Sequence, residues 1–190
     1  EQEPGERSVR GRGRMADPLA LQRWIYRAIF VGFAVLFYII RILPLSTLPP
    51  TLPGPDLMIA LAFAWILRRP DFVPAPLIIA VFLLEDMLYH RPPGLWAAIV
   101  LLGTEFIRGR VALLRGLPFP VEWAMVAAVL VAMTLLERLV LAAALVPQAA
   151  LSAEMLRVLT TMIAYPVVVL ATRFVFALHD PEQDRLGRRA

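Results

Sequence analysis

Long apolar runs, some of about twenty residues, recur along this chain, and very few folds can accommodate even one of them. A helix on the surface of a soluble domain needs a polar face. The stretch Trp24–Leu43 breaks its apolar character only at Tyr26, Arg27, Tyr38 and Arg41. At about 1.5 Å of rise per residue, a run of this length matches a hydrocarbon core of ~30 Å. Composition agrees with that reading. Hydrophobic residues make up 59% of the chain and charged residues 18%, where a soluble domain is about 45–50% apolar and about 25% charged. Within lipid every backbone polar group must be bonded internally, so such runs form helices. The expected class is an all-α integral membrane protein.

Six helices follow from the apolar runs. The first is Trp24–Leu43; the second, Asp56–Leu67, opens directly after Pro55. The third is Phe72–Tyr89, with Pro74 and Pro76 near its first turn, where a missing donor is harmless. Leu95–Ile107, Val121–Val146 and Met155–Leu178 complete the set, the last with Pro166 inside it as an expected kink. The second and fourth runs are short for a full span. Each either tilts within the protein or begins earlier than its apolar residues do. Between the runs lie a proline-rich segment from Pro44 to Pro55, the compact turn Arg91-Pro92-Pro93-Gly94, and a basic loop from Gly109 to Pro120. Outside the transmembrane domain at 21–179, residues 1–20 are expected to be a disordered basic segment and 180–190 a polar cytoplasmic tail. Because Met15 follows EQEPGERSVRGRGR, residues 1–14 are either an upstream extension or a fusion remnant. The first apolar run lacks the small-residue cleavage site of a secretory signal.

The net charge of +4 is carried wholly by arginine on the basic side. With the N-terminus in the cytoplasm, the inner side collects Arg7, Arg10, Arg12, Arg14, Arg23, Arg27, Arg68, Arg69, Arg108, Arg110, Arg115, Arg173, Arg185, Arg188 and Arg189. Arg41, Arg91 and Arg157 fall outside, and Arg138 falls within the fifth helix. This bias fits an N-in, C-in topology with an even number of spans. It also assigns the basic residues to topology and leaves no stripe for nucleic acid. Trp24, Trp65 and Trp123 fall at expected inner boundaries and Trp96 at an outer one. The chain is therefore expected to cross a membrane several times.

Chemistry is poorly provided for. Cysteine is absent, which excludes disulfides, thiolate metal ligands and a cysteine nucleophile. The two histidines, His90 and His179, lie outside the middle of any apolar run, and no H-E-x-x-H, Walker A or G-x-S-x-G string occurs. Hydrolytic chemistry is not expected, nor is a cofactor or metal.

Charges within the apolar runs require their own account, since each costs about 2.5–3.5 kcal/mol near a helix centre on insertion scales. Glu85 and Asp86 lie about one turn from the outer end of the third helix. Neighbours project about 100° apart, so one of the two, Asp86, is expected to point inward. Glu137 and Arg138 lie deeper in the fifth helix, and Arg138 is expected to pair with the acids of the third. Such a cluster, with Arg41, His90, Arg91 and Arg157, is either architectural or a contact for a ligand or partner. Glu105 and Arg108 are expected to pair at i,i+3 on the inner boundary. Asp56 is placed to cap the second helix. Alanines recur at four-residue spacing at Ala60 and Ala64, and again at Ala124, Ala128 and Ala132.

From Trp24 to Leu178 the chain resembles the MreD family, small inner-membrane components of the bacterial rod-shape system. Four features carry the resemblance: Pro55-Asp56 opening the second helix, the string ILRRPDFVP, the string LLEDMLYHRPPGLWA, and the late Pro166 before a basic end. Asp86, Gly94 and Pro166 match the family pattern. Two departures stand out. Val81, Phe82 and Leu83 are bulky where the family often has small residues, and Glu85 adds a second acid. The resemblance implies a scaffold that binds MreC, a bitopic protein with a periplasmic domain. Through it, the cytoplasmic MreB filaments couple to the peptidoglycan polymerase RodA and its class B penicillin-binding partner. It also implies a fold similar to the S components of energy-coupling-factor transporters. That likeness supplies an alternative, a solute-binding membrane subunit with its site at Asp86 and Arg138.

Overall fold

The computed structural model describes residues 18–43, 54–89, 91–114 and 116–177, and among these there is no strand. Within them seven α-helices run in order: α1 (Pro18–Ile42), α2 (Leu57–Arg68), α3 (Ala75–Leu88), α4 (Leu95–Arg108), α5 (Val111–Leu114), α6 (Phe119–Ala143) and α7 (Leu151–Ala177). A 3-10 turn, Pro70–Phe72, joins α2 to α3. The expected proline-rich segment divides here: 44–53 lie outside the described residues and 54–55 within them. The basic start at 1–17, His90, and the expected tail at 180–190 also lie outside.

Among the described residues three helices are long and apolar enough to cross a membrane: Leu21–Ile40 within α1, Phe119–Ala143, and Leu151–Val175 within α7. Their surfaces have the reverse of soluble patterning. On α1 one stripe is buried, Tyr26, Phe30, Ala34 and Tyr38, while Leu21, Ile25, Val35, Leu36, Ile39 and Ile40 remain exposed. Four-residue spacing keeps that stripe on one face. The other faces suit lipid.

The remaining main helices are shorter. α2 has 12 residues and α3 and α4 have 14 each, giving lengths of about 18–21 Å. Every residue of α2 from Met58 to Leu67 is buried, as expected of a helix that is apolar all round. It packs most extensively on α7 and also on α4, while α3 lies on α4, α4 on α6, and α6 on α7. α1 borders the Pro70–Phe72 turn, α2 and α3. Tyr26 stacks on Phe72 with ring centroids 4.4 Å apart. Ala60 and Ala64 are completely buried, so this alanine pair does sit where backbones approach.

Several expectations need correction. Phe72 and Val73 are apolar but precede the helix, so the third helix begins at Ala75. The loop expected at Gly109–Pro120 contains α5. The sixth run starts earlier than expected, at Leu151. Trp65 and Trp96 are buried, at 0% and 3% exposure, and so are not boundary anchors. α2 is enclosed on every side, which leaves Trp65 no route to an interface. Trp24 and Trp123 are exposed, as an anchoring role requires. α6 ends with Leu145 at φ 56°. The Val146 N–H donates to the Leu141 carbonyl at 3.0 Å and Leu145 N–H to Ala142 at 3.1 Å, the pairing of a Schellman ending.

Candidate functional site

Polar side chains collect in two rims, one at each end of the bundle. The first rim joins the C-terminus of α3, the N-termini of α2, α4 and α7, and the C-terminal part of α6. It contains most of the charged residues singled out above.

Asp86 and Glu85 are both buried, at 0% and 1% exposure, so the expectation that only one points inward is corrected. α3 lies between two neighbours, and the 100° offset aims each acid at a different one. Asp86 faces α4. Its Oδ2 accepts from the Gly94 N–H at 2.9 Å and the Ala97 N–H at 3.3 Å, occupying free donors of that helix start. Gly94 makes this possible with φ 88°, a conformation that glycine adopts without strain. Glu85 faces α1, where the Tyr38 hydroxyl donates to its Oε2 at 3.3 Å and sits 3.1 Å from the Val81 carbonyl.

Arg138 does not pair with these acids. It donates to Glu154 Oε2 at 2.6 Å and to the Ala149 carbonyl at 3.1 Å, while Gln148 Nε2 donates to the Arg138 carbonyl at 3.0 Å. The correction has a simple cause. Glu137 and Arg138 are adjacent and project about 100° apart; Glu137 is turned into the bundle and buried. Arg138 is turned instead to the α6–α7 connection.

Glu137 forms the centre of the rim. Its Oε1 lies 3.9 Å from Arg91 Nη1 and its Oε2 3.8 Å from Arg157 Nη2. The same two guanidinium groups lie 5.4 and 5.5 Å from the centroid of the Trp96 ring, within cation–π range. Arg91 and Arg157 therefore join the cluster as expected. The side chain of Arg41, like His90, lies outside what is described. Asp56 caps α2 as anticipated, its Oδ1 accepting from the Ile59 N–H at 3.3 Å. Its own N–H donates to Thr161 Oγ1 on α7 at 2.8 Å. A hole of about 10 Å³ lies among Asp56, Trp96, Thr134, Arg157 and Thr161. Asp56 Oδ2 and Trp96 Nε1 make no hydrogen bond among the described residues. That volume suits about one water molecule.

The opposite rim holds the expected Glu105–Arg108 pair, at 3.0 Å. Arg108 does more than that, donating to the Pro70 carbonyl at 2.6 Å and the Val73 carbonyl at 2.7 Å. It thus ties α4 to the turn between α2 and α3. Arg68 pairs with Glu122 at 3.3 Å, and the Tyr165 hydroxyl donates to the same Glu122 Oε1 at 2.8 Å. Pro166 lies within α7 and cannot donate to the Met162 carbonyl four residues earlier. That carbonyl accepts instead from Trp123 Nε1 on α6, at 2.9 Å.

Tyr38, Glu122, Glu154 and Tyr165 were not anticipated. Glu154 was the most accessible of them to inference, since it lies 16 positions from Arg138 across a helical hairpin. Among the described residues no group of three or more His, Asp or Glu could hold a metal. Of the buried carboxylates, Asp56 and Asp86 cap helices, Glu137 is a counter-ion to two arginines, and Glu85 accepts from the Tyr38 hydroxyl. Among the described residues this is an all-helical protein, three of whose helices are long and apolar enough to cross a membrane. Compared with known proteins, the chain matches no family model, no curated protein and no solved structure.

Proposed function

We propose that this chain is a non-enzymatic assembly protein of the bacterial inner membrane, of the MreD class. In this reading it binds an MreC-like bitopic protein and through it joins a complex with RodA, a class B penicillin-binding protein and, indirectly, MreB. All six main helices cross or nearly cross the membrane with both ends in the cytoplasm. α2, too short to reach both faces, crosses as an enclosed helix whose backbone is shielded by protein. The likeness to the S components of energy-coupling-factor transporters belongs to the same proposal.

The observation that carries the reading is how the outer polar rim is used. Asp86 caps α4, Glu137 lies between Arg91 and Arg157, and Arg138 holds Glu154. The hole beside Arg157, among Asp56, Trp96, Thr134 and Thr161, measures about 10 Å³, far below the roughly 300–1,000 Å³ of a small-molecule pocket. The alternative, a solute-binding transporter subunit, needs convergent free donors in a larger space. The large groove elsewhere, about 440 Å³, is lined almost wholly by apolar side chains, which does not suit a polar solute.

Co-expression with a tagged MreC-like protein is the test. Retention of this chain through detergent purification is the expected result. Failure of that capture, together with a small molecule carried through purification by this chain alone, overturns the scaffold in favour of the transporter subunit.

A further inference from the structure

The groove of about 440 Å³ lies between α4 and α6, on the outside of the bundle. Its floor is made by small residues. Gly103 abuts Met133 so closely that a Cβ there meets the Met133 side chain. Ala128 and Ala132 leave the α6 side open and are themselves exposed. The walls are Phe106 and Leu136, and Arg110 stands at one end.

We propose that this groove binds one acyl chain of an anionic phospholipid, with the lipid phosphate at Arg110. The feature that selects this occupant is charge, at one end of a groove whose α6 lining runs from Met125 to Leu136, a rise of about 16 Å. The Arg110 guanidinium lies over the Phe106 ring, 3.4 Å from its centroid, and donates to the Phe106 carbonyl at 3.2 Å. This holds it at the groove mouth. It has no carboxylate partner among the described residues, so its charge is available to a phosphate. Arg110 shares its end of the bundle with Arg68 and Arg108, and the N-in orientation makes that the cytoplasmic leaflet, where anionic headgroups attract basic residues.

The proposal rests on the six-span reading, which sets α4 and the groove within lipid and names the leaflet. Its test is separate from partner capture. The full chain is reconstituted in nanodiscs containing phosphatidylglycerol or phosphatidylcholine spin-labelled on an acyl chain, and the immobilised fraction is measured. Phosphatidylglycerol is expected to associate about fivefold more strongly, the effect of one basic residue at a membrane surface. Arg110→Gln removes that preference and Arg110→Lys keeps it. Ala132→Leu fills the groove and lowers immobilisation of both lipids. Ala128→Leu serves the same purpose if the first variant fails to fold. Equal association of the two lipids with the natural sequence overturns the proposal. So does unchanged immobilisation in a folded groove-filled variant, including the case in which that variant loses a protein partner instead.

Discussion

Asp86 occupies a buried position without a basic side chain as its hydrogen-bonding partner, because the start of α4 supplies two N–H donors and the positive end of a helix dipole. Removing a helix-capping side chain typically costs about 0.5–2 kcal/mol. Asp86→Ala is therefore expected to lower the thermal unfolding midpoint in detergent. Asp86→Asn, which keeps an accepting oxygen, is expected to retain most of the stability. Since Arg138 is bound to Glu154 and not to Asp86, the losses from Asp86→Ala and Arg138→Ala should add to within about 0.5 kcal/mol. Arg138→Ala and Glu154→Ala should instead be strongly non-additive. A coupling between Asp86 and Arg138 larger than that between Arg138 and Glu154 contradicts the assignment. At this scale, the sequence revealed which residues were out of place in an apolar run, but not their partners. The Glu137–Arg138 pair is the clearest case. A rotation of about 100° decides which of the two faces inward, and apolar residues surround both positions too evenly to reveal it.

The α6–α7 hairpin illustrates how one element answers a defect in another. Pro166 deprives the Met162 carbonyl of its helical donor, and Trp123 supplies one from across the interface. A helical carbonyl left without its donor is best satisfied by a neighbouring side chain. Trp123→Phe is expected to lower the unfolding midpoint in the natural sequence, by an amount corresponding to about 1 kcal/mol. In a Pro166→Ala background the backbone N–H restored by the alanine can take over, so the same substitution should cost much less. Equal losses in both backgrounds would mean that the indole contributes packing alone. Proline at a helical position was visible in the sequence, but the compensating donor lay 39 positions from the orphaned carbonyl and was not. Element boundaries were lost for a related reason. Phe72 and Val73 are as apolar as the helix they precede, yet Val73 and Pro70 offer their carbonyls to Arg108. Hydrophobicity records which residues avoid water; it does not record which carbonyls lie outside a helix. By contrast, α2 and α4 began where Pro55-Asp56 and Gly94 said they would, because those residues act through local backbone geometry.

At the scale of the whole molecule, the decisive question is how many times the chain crosses. The apolar runs and the arginine bias point to six spans, but among the described residues only α1, α6 and α7 are long enough to cross alone. α2, α3 and α4 are 12–14 residues long, or about 18–21 Å, so any crossing by them depends on a protein environment that no single run reveals. Their ends are nevertheless gathered into opposite rims. Arg68, Arg108 and Glu122 lie at one end, and Asp56, Asp86, Arg91, Glu137 and Arg157 at the other, an arrangement that alternates the connections between faces. Because the chain contains no cysteine, single introduced thiols can report each connection. Arg69→Cys, Pro93→Cys, Leu117→Cys and Ala149→Cys place one thiol in each of four turns, at side chains that are exposed. With six spans and the N-terminus inside, a membrane-impermeant maleimide should label the thiols at 93 and 149 in intact cells. Those at 69 and 117 should react only after permeabilisation. If α1, α6 and α7 alone cross, the thiols at 69, 93 and 117 share one face and 149 lies on the other. The two arrangements thus differ at 69, 117 and 149. Labelling at 69 and 117 in intact cells with protection at 149 would rule out six spans and would reduce α2, α3 and α4 to a cap on a three-helix anchor.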